Sequence, residues 1–185
     1  MEASVRGAMP RFRVYLALSV DGYIADENGG VGWLDPYFGP ELGFHEFIKT
    51  IGATVMGRAT FDQSLEMGKW EHDNPRTIVM THRPIDDPPS GVEVFDGDIR
   101  ELAASLRADL EPGGKDIWLM GGGKSIQPWH ETGLVDSWEL YVIPVMLGAG
   151  VPLFPPGSPA LTELQLASSE HFDNGIVELK YEPRK

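Results

Sequence analysis

The stretch Ile117-Trp118-Leu119-Met120-Gly121-Gly122-Gly123-Lys124-Ser125 constrains this chain more than any other. Its apolar residues read as a buried strand, and the glycines turn the chain into a helix beginning near Lys124. A strand that ends in glycine and opens a helix is a place to hold an anion. The backbone approaches a ligand closely where no Cβ intervenes. The free N–H groups of the first turn and the helix dipole then favour negative charge. A tight turn that binds nothing has the same local sequence, so other strand ends must discriminate.

The preceding part of the chain alternates strands and helices. Residues 13–19 are apolar and read as a buried strand. Residues 20–40 hold many Gly, Asp, Asn and Pro residues and read as one long loop. Residues 41–51 predict a helix with Leu42, Phe44, Phe47, Ile48 and Ile51 as its apolar set. A short strand over 53–56 ends at Gly57, and a short helix follows over 59–65. Further strands are predicted at Thr77–Met80 and Val92–Phe95, and a helix at Ile99–Leu110. Beyond the glycines, Ser137–Ile143 and Leu164–His171 read as strands. The turn Asp173-Asn174-Gly175 leads to a last strand over 176–181. There Val177, Leu179 and Tyr181 alternate with Glu178 and Lys180, as expected when one face is wet. This pattern predicts a single α/β domain over residues 11–183, with a mostly parallel central sheet flanked by helices and a C-terminal antiparallel hairpin. Residues 1–10 read as a flexible N-terminal extension.

Composition narrows the function classes. The net charge is −13, which disfavours nucleic acid and anionic membrane as partners. No apolar run approaches the roughly 20 residues needed to span a bilayer. Cysteine is absent, which rules out disulfides and fits a cytoplasmic protein. The histidines are scattered with no helical metal-ligand spacing, so no metal site is expected.

Two more strand ends resemble the glycine triplet in character. Gly57-Arg58-Ala59-Thr60 ends a strand with close backbone access, a planar cation and a hydroxyl. Thr81-His82-Arg83 ends another with a hydroxyl and basic groups. Arg58 alone reads more readily as a surface ion pair, and Thr81 alone as a turn residue. Ligands of open α/β sheets bind beyond the carboxyl ends of the strands, so one phosphorylated ligand is expected to span all three. The long loop is the second constellation, with Ser19-Val20-Asp21-Gly22-Tyr23-Ile24-Ala25 and Gly29-Gly30-Val31-Gly32-Trp33-Leu34-Asp35. Its glycines suit a mobile lid, and Ile24, Trp33 and Leu34 anchor it. Asp35 beside Trp33 reads as a proton donor in a part-apolar pocket, or as a turn aspartate before Pro36.

These segments recur in one superfamily in this order, together with Gly133-Leu134-Val135-Asp136 and Pro144-Val145-Met146-Leu147-Gly148-Ala149-Gly150-Val151-Pro152-Leu153-Phe154. From about Arg13 to Tyr181 the sequence resembles the dihydrofolate-reductase-like superfamily, in particular the reductase domain of the bacterial riboflavin-biosynthesis deaminase/reductase. The resemblance implies an NADPH-dependent oxidoreductase that transfers a hydride to a small, heterocyclic, pteridine- or pyrimidine-like substrate. It assigns Gly57, Arg58, Thr60, Thr81 and Arg83 to the adenosine phosphates. Gly121, Gly122, Gly123, Lys124 and Ser125 fall along the pyrophosphate, and Ala17 and Ile24 face the nicotinamide. Trp33, Phe44 and Tyr15 are expected to border the substrate, with catalytic Asp35 or an ordered water donating the proton. A homodimer is common in this branch, and the strand Ser137–Ile143 with the C-terminal hairpin is expected to leave an edge for pairing.

The chain also departs from these relatives. Dihydrofolate reductases carry an acid a little further beyond the loop tryptophan, where this chain has Phe38. Riboflavin enzymes carry a lysine on the first strand, where this chain has Tyr15. Their Asp-Pro segment is replaced by Asp62-Gln63-Ser64-Leu65, and the zinc-binding deaminase domain is not among these residues. The chain therefore looks like a stand-alone reductase domain. Two alternatives stay open: a non-catalytic NADPH-binding regulatory module, and an atypical dihydrofolate reductase.

Overall fold

The fold is seen in a computed structural model, which describes residues 9–39, 43–68, 76–110, 114–157 and 161–184. Strand β1 (Phe12–Ser19) runs through the middle of the molecule. Its alternate residues serve opposite faces, as the two-residue period of a strand requires. Phe12, Val14, Leu16 and Leu18 join the main core. Tyr15 and Ala17 pack on the other face, against Tyr141 and Ile143.

Among the described residues eight strands form the main sheet, and two further strands pair separately. The order is β5 (Val92–Phe95), β4 (Thr77–Met80), β3 (Ile51–Gly57), β6 (Asp116–Met120), β1, β7 (Ser137–Ile143), β10 (Val177–Pro183) and β9 (Leu164–His171). All pairs from β5 to β7 are parallel, and β10 and β9 are antiparallel. The expected architecture is therefore observed. Burial on both faces explains why β3 and β6 are almost wholly apolar. On one face α3 (Ile99–Leu110) and α4 (Gly123–Glu131) supply Leu102, Leu106, Ile126 and Trp129 to the core. On the other, Phe47 of α1 (Phe44–Lys49) and Phe61 of α2 (Arg58–Glu66) cover Trp118 and Met56. Among the described residues no helix is long and apolar enough to cross a membrane.

Three local expectations change. Residues 20–39 are not one irregular loop. They hold the short strand β2 (Tyr23–Ala25) and a 3₁₀ helix, Gly32–Tyr37. Polar side chains organise this segment: Asp26 Oδ1 accepts from the N–H groups of Asn28 and Gly30, each at 2.8 Å. Helix α1 is shorter than predicted, and residues 40–42 lie outside the described residues. It begins after Gly43, whose φ of 63° breaks the helical path, and Ile51 already belongs to β3. Strand β7 is interior rather than an edge, because β10 pairs along it from Val142 to Trp138. The sheet ends in β5 on one side and in β9 of the C-terminal hairpin on the other, and every residue of β9 is exposed.

Candidate active site

The carboxyl ends of three parallel strands stand level. Gly57 pairs with Met80, and Met56 with Met120. At β3 the chain enters α2 directly from Gly57, and at β6 it enters α4 after Gly121-Gly122. Neither helix has a side-chain cap at its N-terminus. The two turns press together. A Cβ on Gly121, whose φ is 122°, would lie 2.5 Å from Thr60 Oγ1, and one on Gly57 would lie 3.1 Å from Ser125 Oγ. Gly123 has a different reason to lack a side chain: a Cβ there would overlap the Leu153 carbonyl oxygen and lie 2.8 Å from Pro155 Cδ.

A segment from the other end of the chain closes over these turns. Strand β2 pairs with β8 (Val151–Pro152), and Leu153 N–H donates to the Gly22 carbonyl at 3.0 Å. Asp21 is the clasp. Its carboxylate accepts from Ser19 Oγ at 2.6 Å, Gly148 N–H at 2.7 Å and Leu147 N–H at 3.1 Å. The Ser19 hydrogen bond, aided by these N–H groups, holds the Asp21 carboxyl below its usual range. Gln63 on α2 donates to the Gly29 carbonyl at 2.8 Å and ties the segment down from the opposite side.

These elements enclose a cavity of about 1230 Å³. That exceeds the range of about 300–1,000 Å³ typical of small-ligand pockets. Ala17, Ile24, Gly57, Thr60, Gly121, Gly122, Gly123, Lys124 and Ser125 all line it. Arg58, Thr81 and Arg83 do not. Arg58 Nε is bonded to Asp62 Oδ1 at 2.6 Å, and its NH1 donates to the Pro84 carbonyl at 2.9 Å. Thr81 Oγ1 accepts from Arg83 N–H at 3.1 Å, which is a turn interaction. Thr81 and Arg83 follow β4, the next strand outward from β3 in the sheet.

The opposite end of the cavity is aromatic. Tyr15 stacks on Phe47 with ring centroids 4.1 Å apart, and Phe44 meets the edge of Trp118 at 5.8 Å. Tyr15 and Phe44 line the space, as does Trp118, which the sequence reading did not single out. Trp33 does not line it. It packs behind the wall near Tyr141, and its buried Nε1 has no hydrogen-bond partner among the described residues. Asp35 is exposed within the 3₁₀ helix and does not line the cavity either. The part-apolar pocket expected around this carboxylate is therefore not present.

Tyr141 and Glu178 were also missed. Tyr141 lines the cavity and donates its hydroxyl hydrogen to Glu178 Oε1 across the paired strands β7 and β10. The alternation in the last strand places Glu178 on a wet face, yet it is only 6% exposed. Glu139, opposite Lys180 on β7, is buried as well and is held by Arg13 through Nε at 2.6 Å and NH2 at 2.8 Å. A glutamate between Trp138 and Leu140 in an apolar strand was the available sequence signal. Burial raises the hydroxyl of Tyr15 to about 12. Burial and the hydrogen bond to Glu178 raise Tyr141 further.

Residues 10–178 match the model of the RibD C-terminal domain, nearly the whole chain. The chain belongs to the RibD C-terminal domain family. It is similar to two uncharacterized proteins of Bacillus subtilis strain 168. YwjB is 29% identical over 165 residues, covering 88% of this chain and 92% of YwjB. YyaP is 30% identical over 180 residues, covering 90% and 91%. Among solved structures it is similar to a putative riboflavin biosynthesis protein from Shewanella sp. PV-4, at 27% identity and a TM-score of 0.83 over 95% of this chain and 99% of that one. Dihydrofolate reductase from Enterococcus faecalis, complexed with NADP(H), shares the fold at 23% identity and a TM-score of 0.65, with 95% and 97% covered. The resemblance read from the motifs is thus a family membership, and the fold is dihydrofolate-reductase-like.

Proposed function

We propose that this RibD C-terminal domain is an NADPH-dependent reductase acting on a small, planar, heterocyclic or carbonyl-type substrate. The apposition of two uncapped helix N-termini across Gly121 and Thr60 carries this reading, because it makes a narrow, dipole-rich cradle for a pyrophosphate. Gly57, Thr60 and the turn from Gly121 to Ser125 would hold that group. Arg58, Thr81 and Arg83 would reach the adenosine phosphates outside the cavity, and the backbone at Ala17 and Ile24 would face the nicotinamide. When bound, the cofactor supplies a hydride. The chain supplies orientation and the exclusion of water.

The aromatic end of the cavity suits a flat substrate between Tyr15, Phe44 and Trp118. The exposed position of Asp35 argues against a folate-type acid at that place. A homodimer is part of the same proposal. Its edge is β9, where Leu164 and Leu166 are exposed. Sedimentation at two protein concentrations tests that element.

The deciding experiment titrates NADPH by fluorescence, then follows its oxidation with a dihydropteridine, an aminopyrimidine, dihydrofolate and a naphthoquinone. Binding with turnover of one acceptor is expected. Binding without any turnover would replace this reading with that of a regulatory module, and an absence of binding would end both.

A further inference from the structure

Two phenol rings separate the cavity from a second, smaller one of about 510 Å³. Tyr15 and Tyr141 line both, with ring centroids 5.0 Å apart and planes at 55°. Their hydroxyls are hydrogen-bonded to each other, and the Tyr141 hydroxyl is bonded to Glu178. Glu178 lies on the far side, in the wall of the smaller cavity, with Lys180 Nζ 3.3 Å from its Oε1. Glu170, also in that wall, is exposed. A buried carboxyl group is thereby wired through two hydroxyls from a solvent-facing pocket to the aromatic end of the candidate active site.

We propose that Tyr15 donates the proton to the reduced substrate, and that Tyr141, the Glu178 carboxylate and the Lys180 ammonium return a proton to Tyr15 from the side of the smaller cavity. The proposal rests on the reductase reading. The substrate gains a hydride at an electrophilic carbon, forming a C–H bond, and the reduced dinucleotide leaves oxidised. The π pair of the substrate's C=N or C=O bond moves to the heteroatom, which takes the Tyr15 hydroxyl proton. Tyr15 oxygen takes the Tyr141 proton as the Tyr141 hydroxyl turns from Glu178 to Tyr15, and Tyr141 oxygen takes a proton that the Lys180 ammonium passes through the Glu178 carboxylate. Lys180, whose side chain is 38% exposed, then regains a proton from water. Every transfer runs along a hydrogen bond or ion pair already present, apart from the first and the last.

The hydroxyl of Tyr15 is held neutral by burial, so it is a donor throughout the neutral range. Other ionisable groups surround the array. Arg13 and Glu139 form their own bidentate pair on β1 and β7. Glu46 and His45 approach from α1, and Glu170 and Lys180 from β9 and β10. Of these, Lys180 alone is within ion-pair distance of Glu178.

The test uses the full chain and the variants Tyr15→Phe, Tyr141→Phe and Glu178→Gln, each checked for unchanged thermal unfolding. Tyrosinate absorbance is titrated without cofactor. Removing the Glu178 charge and acceptor is expected to shift tyrosine ionisation to lower pH, and the shift should vanish in the double variant Tyr141→Phe/Glu178→Gln. With the acceptor found active in the panel above, Tyr15→Phe should lower kcat by about 10²–10⁴-fold, the size of a general-acid contribution. Glu178→Gln should lower kcat increasingly as pH rises, with the Kd for NADPH unchanged. Coincident tyrosinate curves would overturn the wiring. An equal loss at every pH, or no loss, would overturn the relay even if NADPH oxidation by the unaltered protein is robust. If the unaltered protein binds no NADPH, the reductase reading itself fails, and this proposal with it.

Discussion

Gly121 and Thr60 stand so close that a single added methyl group would lie 2.5 Å from the Thr60 hydroxyl. The two residues are far apart in sequence, on separate strand-to-helix turns. Gly121→Ala therefore meets a steric contact and an unfavourable φ of 122° together. It should lower stability by about 1–3 kcal/mol, the usual range for strain at such a position. NADPH affinity should fall at least about tenfold, a loss of 1.4 kcal/mol. Thermal unfolding and fluorescence titration read the two effects separately.

Arg58 is engaged with Asp62 and Pro84, so a phosphate must compete for it. Arg58→Ala should weaken NADPH by about tenfold or more, since a hydrogen bond to a charged group contributes about 1.5–3 kcal/mol. NADH should lose less. Asp62→Asn should tighten NADPH at low salt, because it removes both the competitor and a nearby negative charge. Equal NADPH and NADH affinities in the unaltered protein would exclude a 2′-phosphate contact.

Asp21 holds the loop at Leu147 and Gly148 against the β2 segment. Its carboxyl is held low by the Ser19 hydrogen bond and these N–H groups, so its contribution is present above its ordinary value of 3.8 and lost as pH falls below it. Asp21→Asn should lower the Tm at pH 7 and flatten the acid limb of a Tm-against-pH curve. Differential scanning calorimetry from pH 7 down to pH 3 checks the sign.

Tyr15 is shifted the other way. Its neutral form is favoured in the folded state, while the unfolded chain ionises at the ordinary value of 10.0. Protons are then lost from the unfolded state first, and stability falls between pH 10 and about 12. Tyr15→Phe should remove part of that alkaline loss, as read from urea unfolding at pH 9 and pH 11.

Asp35 and Tyr15 are rival proton donors. Asp35 is exposed outside the cavity, whereas Tyr15 lines it. Asp35→Asn should leave kcat within about twofold, as expected for a surface substitution. A large loss of turnover with NADPH binding intact would restore Asp35 to the mechanism.

The sequence by itself determined most of the secondary structure and the chemistry of the strand ends. Strand and helix periodicities are set by nearest neighbours, and glycines mark a turn wherever they fall, so β1, α3, β6 and the Gly121 turn are legible locally. The order of the strands decided everything that joins distant segments. It set β3 beside β6, and so Thr60 beside Gly121. It placed β10 along β7, which moved the expected edge onto β9 and turned Glu178 inward onto Tyr141. An alternating strand shows which residues share a face, but not whether that face meets water or a partner strand's phenol. The same limit applies to Asp35, whose nearness to Trp33 along the chain carries no sign that the 3₁₀ helix keeps both out of the cavity lining. Side-chain contacts across a sheet depend on which strand is the neighbour, and that is set by packing of the whole domain.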